Sequence, residues 1–212
     1  MSMNRNNVVK RVGLSETTRL EAFSDGVIAI AITLLILEIR PPHVEGEGAL
    51  WNAVLHQWTS YLSFFAGFTT IGIMWINHHR LFTMIRKTDE WLLLFNLLLL
   101  LAITFINFPT ALLGEYLGTP NATTAMAVYA ATTVAIAIFY NLLWRHAVRA
   151  QLLDPEVDAN AVQATSRGYF FGPVLYTVAL VLAFINVYVS LAIVIGLAIY
   201  FALPRRSLLT SR

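Results

Sequence analysis

The sequence predicts an all-α integral membrane protein with six transmembrane helices and both termini on the cytoplasmic side. Three observations carry that reading. Of the 212 residues, 58% are hydrophobic and only 12% charged, roughly half the charged share of a soluble domain. Mean hydropathy is +0.67. The apolar residues gather into six segments, near 20–39, 52–77, 91–113, 122–144, 169–186 and 188–203. With six crossings, every basic residue except Arg40 falls on one side, and the positive-inside rule makes that side cytoplasmic. The absence of cysteine excludes disulfides, thiol nucleophiles and thiolate metal sites. Residues 1–18 are polar and lack the apolar core of a removable signal, so the first helix is expected to remain in the mature protein.

The first segment, Arg19 to Glu38, reads RLEAFSDGVIAIAITLLILE. Its low-polarity run, Gly26 to Leu37, falls short of the roughly 20 apolar residues a lipid-facing helix needs. Asp25 and Glu38 flank the run. Carboxylates so close to the bilayer centre predict a helix that faces protein or water. On a helix, Arg19, Phe23, Gly26, Ile30, Thr33 and Leu37 line one face at 4-3-4-3-4 spacing, with Leu34 bordering it. Ser24 and Asp25 point away from that stripe, by about 120° and 140°. Glu21 lies one turn from Asp25 with the same charge, so Asp25 needs a donor from another helix.

The cytoplasmic end of the second segment, Trp75-Ile76-Asn77-His78-His79-Arg80, lies at the matching depth. A network is therefore expected to join Ser24 and Asp25 to His78 or His79, with Trp75 or Asn77 as further members. Gly67, Gly72, Ser60, Ser63, Thr69 and Thr70 in the same segment predict close helix packing. In the third segment, Asn96, Thr104 and Asn107 predict hydrogen bonds between helices, and Pro109 a kink or early end. Between the fourth and fifth segments runs the longest connection, about His146 to Gly168. Its Asp154, Pro155, Glu156 and Asp158 predict a short surface helix. The last two segments read as a tight hairpin at Asn186; a five-helix count with one broken final segment is the alternative. Trp51, Trp58, Trp75, Trp91 and Trp144 lie near helix ends and fit an aromatic belt.

Arg19, Phe23, Ser24 and Asp25, as Arg-x-x-x-Phe-Ser-Asp, resemble the signature of the transmembrane-protein-175 family of potassium channels. The likeness continues through GVIAIAITLLILEI to Ile39, at WINHHRLF (Trp75 to Phe82) and at FPTALLGEY (Phe108 to Tyr116). This resemblance implies a homotetramer in which the first helix of each subunit lines a central pore. It implies a potassium-preferring channel without a TVGYG filter, constricted by a hydrophobic ring at Ile30. It further implies a hydroxyl layer at Thr33 and additional constriction at Leu34 and Leu37. Potassium is then the transported ion and not a cofactor, and no cofactor is expected. The partners implied are further copies of the chain, potassium ions and membrane lipid, in a bacterial plasma membrane.

Other classes find less support. No nucleophile elbow, His-Glu-x-x-His or phosphate loop is present, so no enzyme is predicted. The basic residues sit in loops beside membrane segments, which argues against nucleic acid. His43 and His56 lie toward the outer side, and His78, His79 and His146 toward the inner side. None is placed as a paired mid-membrane ligand, and neighbouring His78 and His79 diverge by about 100° on a helix. A proton-coupled transporter using Asp25 is the alternative function, although matched helices broken by Gly or Pro are lacking.

Overall fold

The computed structural model describes residues 5–44 and 49–203. Arg205, Arg206 and Arg212, counted above among the cytoplasmic cations, lie outside them. The elements of the described residues are all helical: α1 (Arg5–Leu34), a 3-10 turn (Leu35–Glu38), α2 (Ala49–His56), α3 (Trp58–Met84), α4 (Glu90–Phe105), α5 (Asn107–Tyr116), α6 (Ala122–Arg149), α7 (Ala159–Ala183) and α8 (Val187–Ala202). Among the described residues, five stretches are long and apolar enough to cross a membrane: Thr17–Glu38, Trp58–Met84, Glu90–Tyr116, Ala122–Arg149 and Ala159–Ala183. The sixth, α8, has 16 residues. It spans about 24 Å, less than the roughly 30 Å hydrocarbon layer.

Several boundaries differ from the sequence reading for identifiable reasons. Pro109 has no amide to donate to Phe105, so the helix breaks at Ile106, whose N–H turns back to Ile103 O at 3.3 Å. α4 and α5 together then make one crossing. The surface helix expected at Asp154–Asp158 is absent. Those residues form turns, and Asp158 caps α7 by accepting from the Asn160 N–H, so the helix starts ten residues before the expected 169. Pro173, inside α7, cannot bond the Tyr169 carbonyl one turn earlier. Asn141 of α6 fills that position, its Nδ2 donating to Tyr169 O at 2.7 Å. The turn into α8 is held by Asn186, whose side chain accepts from the Tyr188 and Val189 N–H groups.

α6 is the central pillar and packs on α4, α5, α7 and α8; α3 packs on α1, α5 and α8. Buried hydroxyls tie the two. Tyr140 donates to Met74 O at 2.6 Å, and Tyr129 pairs with Thr70 at 3.0 Å. Such bonds hold helices where water cannot compete. Small residues let α3 approach α5. A Cβ on Gly67 would sit 2.9 Å from Thr110 Cγ2 and 3.2 Å from Leu35 Cδ2. Gly67→Ala is therefore expected to force α5 and the 3-10 turn outward, costing about 1–3 kcal/mol, as overpacking does. Thermal unfolding in detergent checks this; an unchanged midpoint would refute the close approach.

At the end of the bundle that carries the C-terminus of α3, the chain is clasped to the α6–α7 connection. Ile85 bridges Leu153, the Arg86 and Lys87 N–H groups both donate to Leu152 O, and Arg86 pairs with Asp154 at 2.9 Å. Thr17 of α1 joins through its hydroxyl, which donates to Arg86 O.

Candidate functional site: the two faces of the first helix

α1 packs on α3 and α4 only along one side. Ser24, Ile28, Ala31 and Leu35, at 4-3-4 spacing, are essentially inaccessible, at 0 to 2% exposure. The opposite stripe is bare in the protomer: Phe23, Ile30 and Leu37 are 56, 61 and 67% exposed. Arg19, Gly26 and Thr33 share that exposed side. Residues 28 and 30 lie about 200° apart on a helix, which is why neighbours in sequence have opposite fates.

The switch to 3-10 geometry at Leu35 reshapes the upper part of the stripe. With three residues per turn, Leu37 stands directly over Leu34. Both are exposed, and Leu34 joins the stripe at this level instead of bordering it. Thr33 donates its hydroxyl proton to Ile30 O at 2.9 Å. Its oxygen is left facing outward as an acceptor.

The polar end of α1 is held by three parallel contacts. Asp25 Oδ1 accepts from Trp75 Nε1 at 2.9 Å, and Glu21 Oε1 pairs with His79 Nδ1 at 2.9 Å. Ser24 Oγ donates to Leu20 O and accepts from Asn96 Nδ2 at 2.9 Å, while Asn96 Oδ1 pairs with His78 Nε2 at 2.9 Å. Because the Asn96 amide donates to serine, its oxygen must accept, so His78 carries its proton on Nε2. The ring stacks on Phe82 at 4.4 Å between centroids. His78 Nδ1 is buried without a hydrogen-bond partner among the described residues.

The structure thus brings Ser24 and His78 together, but only through Asn96 on a third helix. Asp25 meets Trp75 and neither histidine. Asn77 points elsewhere: with Arg80 it lines a cavity of about 340 Å³ between α3, α6, α7 and α8. Arg19 lies on the exposed side, apart from the network. Thr104 and Asn107, expected to bridge helices, bond the nearby carbonyls of Leu100 and Thr104 instead. Sequence reasoning missed the pairing of Glu21 with His79. The available signal was spacing: Glu21 and Asp25 are one turn apart on α1, as Trp75 and His79 are on α3, and the two pairs match rung for rung.

Outside the membrane-spanning helices, Asp89 joins α4 to α6. It caps α4 by accepting from the Leu92 N–H at 2.7 Å and pairs with His146 at 2.8 Å. Burial alone would raise its pKa, but these contacts outweigh it and hold the carboxyl below the usual range.

Comparison with known proteins agrees with this architecture. Residues 19–106 match the family model described as endosomal/lysosomal potassium channel TMEM175. A protein named as a potassium channel from Chamaesiphon minutus is 51% identical, over 89% of this chain and 95% of its own length. Another, from Streptomyces collinus, is 44% identical over 89% of this chain and 92% of its own. The crystal structure of a TMEM175 homologue from Chamaesiphon minutus, described as a lysosomal potassium-selective channel homologue, superposes with a TM-score of 0.79 at 47% identity. It covers 89% of this chain and 97% of that one. The matched segment contains α1 from Arg19 onward, its buried anchor and both helices that hold it; with relatives 51% and 44% identical over nearly the whole of both chains, this chain belongs to the TMEM175 family.

Proposed function

We propose that the chain is a potassium-preferring cation channel, a homotetramer whose pore is lined by the exposed stripe of α1. One observation carries this reading. A helix that opens the chain's membrane region buries one face on α3 and α4 and leaves a continuous, bulky apolar face uncovered, in a family whose relatives are named as potassium channels. In the proposed tetramer four copies of that face meet at the axis. Both termini are cytoplasmic and the membrane is the bacterial plasma membrane, in keeping with the side on which the basic residues gather.

Four Ile30 side chains around an axis form a neck that excludes water, so ions cross it only by shedding part of their hydration. Potassium loses water more easily than sodium and is favoured. Thr33, whose proton is already donated to Ile30 O, offers one acceptor oxygen per subunit to replace the water lost. Leu34 and Leu37, aligned by the 3-10 turn, continue the apolar constriction. Asp25, Ser24, Trp75, His78 and His79 anchor the helix from behind. That contact weighs against a proton-relay role for Asp25, since its carboxylate is held by the Trp75 indole N–H, a donor that does not titrate.

Reconstitution in liposomes with a potassium gradient tests the proposal. The chain is expected to carry passive potassium current with unitary steps; saturable, coupled turnover would indicate a transporter, and no flux a structural role. Thr33→Ala is expected to lower the potassium-to-sodium permeability ratio toward one, measured from reversal potentials. An unchanged ratio would remove Thr33 from selectivity.

A further inference from the structure

We propose that the groove between α4 and α6, at the end of α6, is a binding site for the phosphate of an anionic phospholipid. α6 presents Ile138, Leu142, Arg145 and Arg149 at 4-3-4 spacing on one outward face, all exposed. With Phe95 of α4 and His146, the last three of these line one groove. The stripe is apolar where it lies within the span and cationic at its end. α6 has 28 residues and is about 42 Å long, which matches a bilayer including its headgroup layers. Its last two turns therefore lie at headgroup level.

The charges favour an anion. Neither Arg145 nor Arg149 has a carboxylate within salt-bridge distance among the described residues, where the ion pairs are His79–Glu21, Arg86–Asp154 and His146–Asp89. Asp89, which touches the groove through His146, is already engaged. Both its oxygens face His146, and Oδ1 also accepts from the Leu92 N–H. Two guanidinium groups one turn apart can bracket one phosphate, each offering a planar donor fork. Above them Leu142 and Ile138 continue toward the hydrocarbon region and offer a track for an acyl chain. Trp91, 60% exposed, edges the same cluster through Phe95, which in turn meets His146 edge-on at 5.6 Å. Interfacial tryptophan beside a basic groove on the cytoplasmic side is a headgroup-recognition arrangement. A free anion would use the arginines alone and gain nothing from the apolar track, so the occupant is a lipid.

Native mass spectrometry of the intact protein in detergent tests this with phosphatidylglycerol and phosphatidylcholine of identical chains. The wild type is expected to retain phosphatidylglycerol preferentially. R145Q/R149Q is expected to lose that preference, by roughly fivefold for each arginine at low salt. L142S, with both arginines intact, is expected to weaken retention of both lipids. Equal retention of the two lipids by the wild type overturns the proposal, and this outcome needs no variant to fold. A preference that survives in R145Q/R149Q overturns the assignment to this groove. Complete displacement of phosphatidylglycerol by inorganic phosphate at matched ionic strength shows an anion site without a lipid track and overturns it as well. Potassium flux reports on the α1 stripe separately, so failure here leaves the channel reading standing, and the reverse.

Discussion

Ile30→Asn is expected to raise potassium efflux from liposomes by at least about tenfold and to bring the potassium-to-sodium permeability ratio close to one. The physical argument is the water-excluding neck. In the proposed tetramer, an amide at each of the four Ile30 positions would wet the constriction and supply oxygens and N–H groups where there were none. Lowering the crossing barrier by only about 1.4 kcal/mol gives tenfold in rate. The variant tests function cleanly because Ile30 is 61% exposed in the protomer and makes little of its core. Its folding should be near that of the wild type, whereas Ile28→Asn, two residues away at 2% exposure, should fail to assemble. Unchanged efflux from Ile30→Asn would remove this side chain from the gate. Equal tolerance at both positions would contradict the two-faced helix altogether.

The second large effect is expected from Asn96→Ala. The amide is the hinge of a chain running from His78 through Asn96 and Ser24 to the Leu20 carbonyl, across three helices. Removing it leaves the His78 Nε2–H without an acceptor in a site of zero exposure, where Nδ1 already lacks a partner among the described residues. A buried donor stranded in this way costs about 1–3 kcal/mol. The apparent melting temperature in detergent should fall by several degrees, with a loss of monodisperse protein. Replacing both partners with apolar groups, His78→Phe with Asn96→Leu, should recover part of the loss, because neither then strands the other. If Asn96→Ala melts with the wild type, the network does not hold α1 in place.

Much of this was legible in the chain before any coordinates. The 4-3-4 spacing of Arg19 to Leu37 already separated a bulky apolar face from Ser24 and Asp25, because helical period alone fixes which side chains share a face. That Asp25 needed a donor followed from charge, and WINHHR was the right supplier. Which residue of WINHHR it would meet was not legible. Trp75, His78 and His79 are separated by a turn or less, and the choice depends on the rotation and height of α3 against α1. Gly67 lets α3 close on Thr110 of α5 and on Leu35 of the 3-10 turn that continues α1. Asn96 could be recognised as a polar residue needing a partner, but not as the link between His78 and Ser24, because it lies 72 residues from Ser24 in the chain. Pro109 announced a break, while the length of α7 was concealed. Its first turns are polar enough to resemble a loop, and they become helical because Asp158 caps them and Ser166 receives the Trp144 Nε1–H of α6.

The sequence by itself determined the membrane environment, the helix faces and the side on which positive charge gathers, because hydropathy, helical period and charge are properties of local composition. The tertiary structure alone decided the pairing of Asp25 with Trp75, Glu21 with His79 and Asn96 with Ser24 and His78. It also decided the tightening of α1 into a 3-10 turn that stacks Leu37 on Leu34, and the bare state of the Ile30 stripe. These depend on how rigid helices settle against one another, where a rotation of one residue, about 100°, exchanges every partner a side chain can reach.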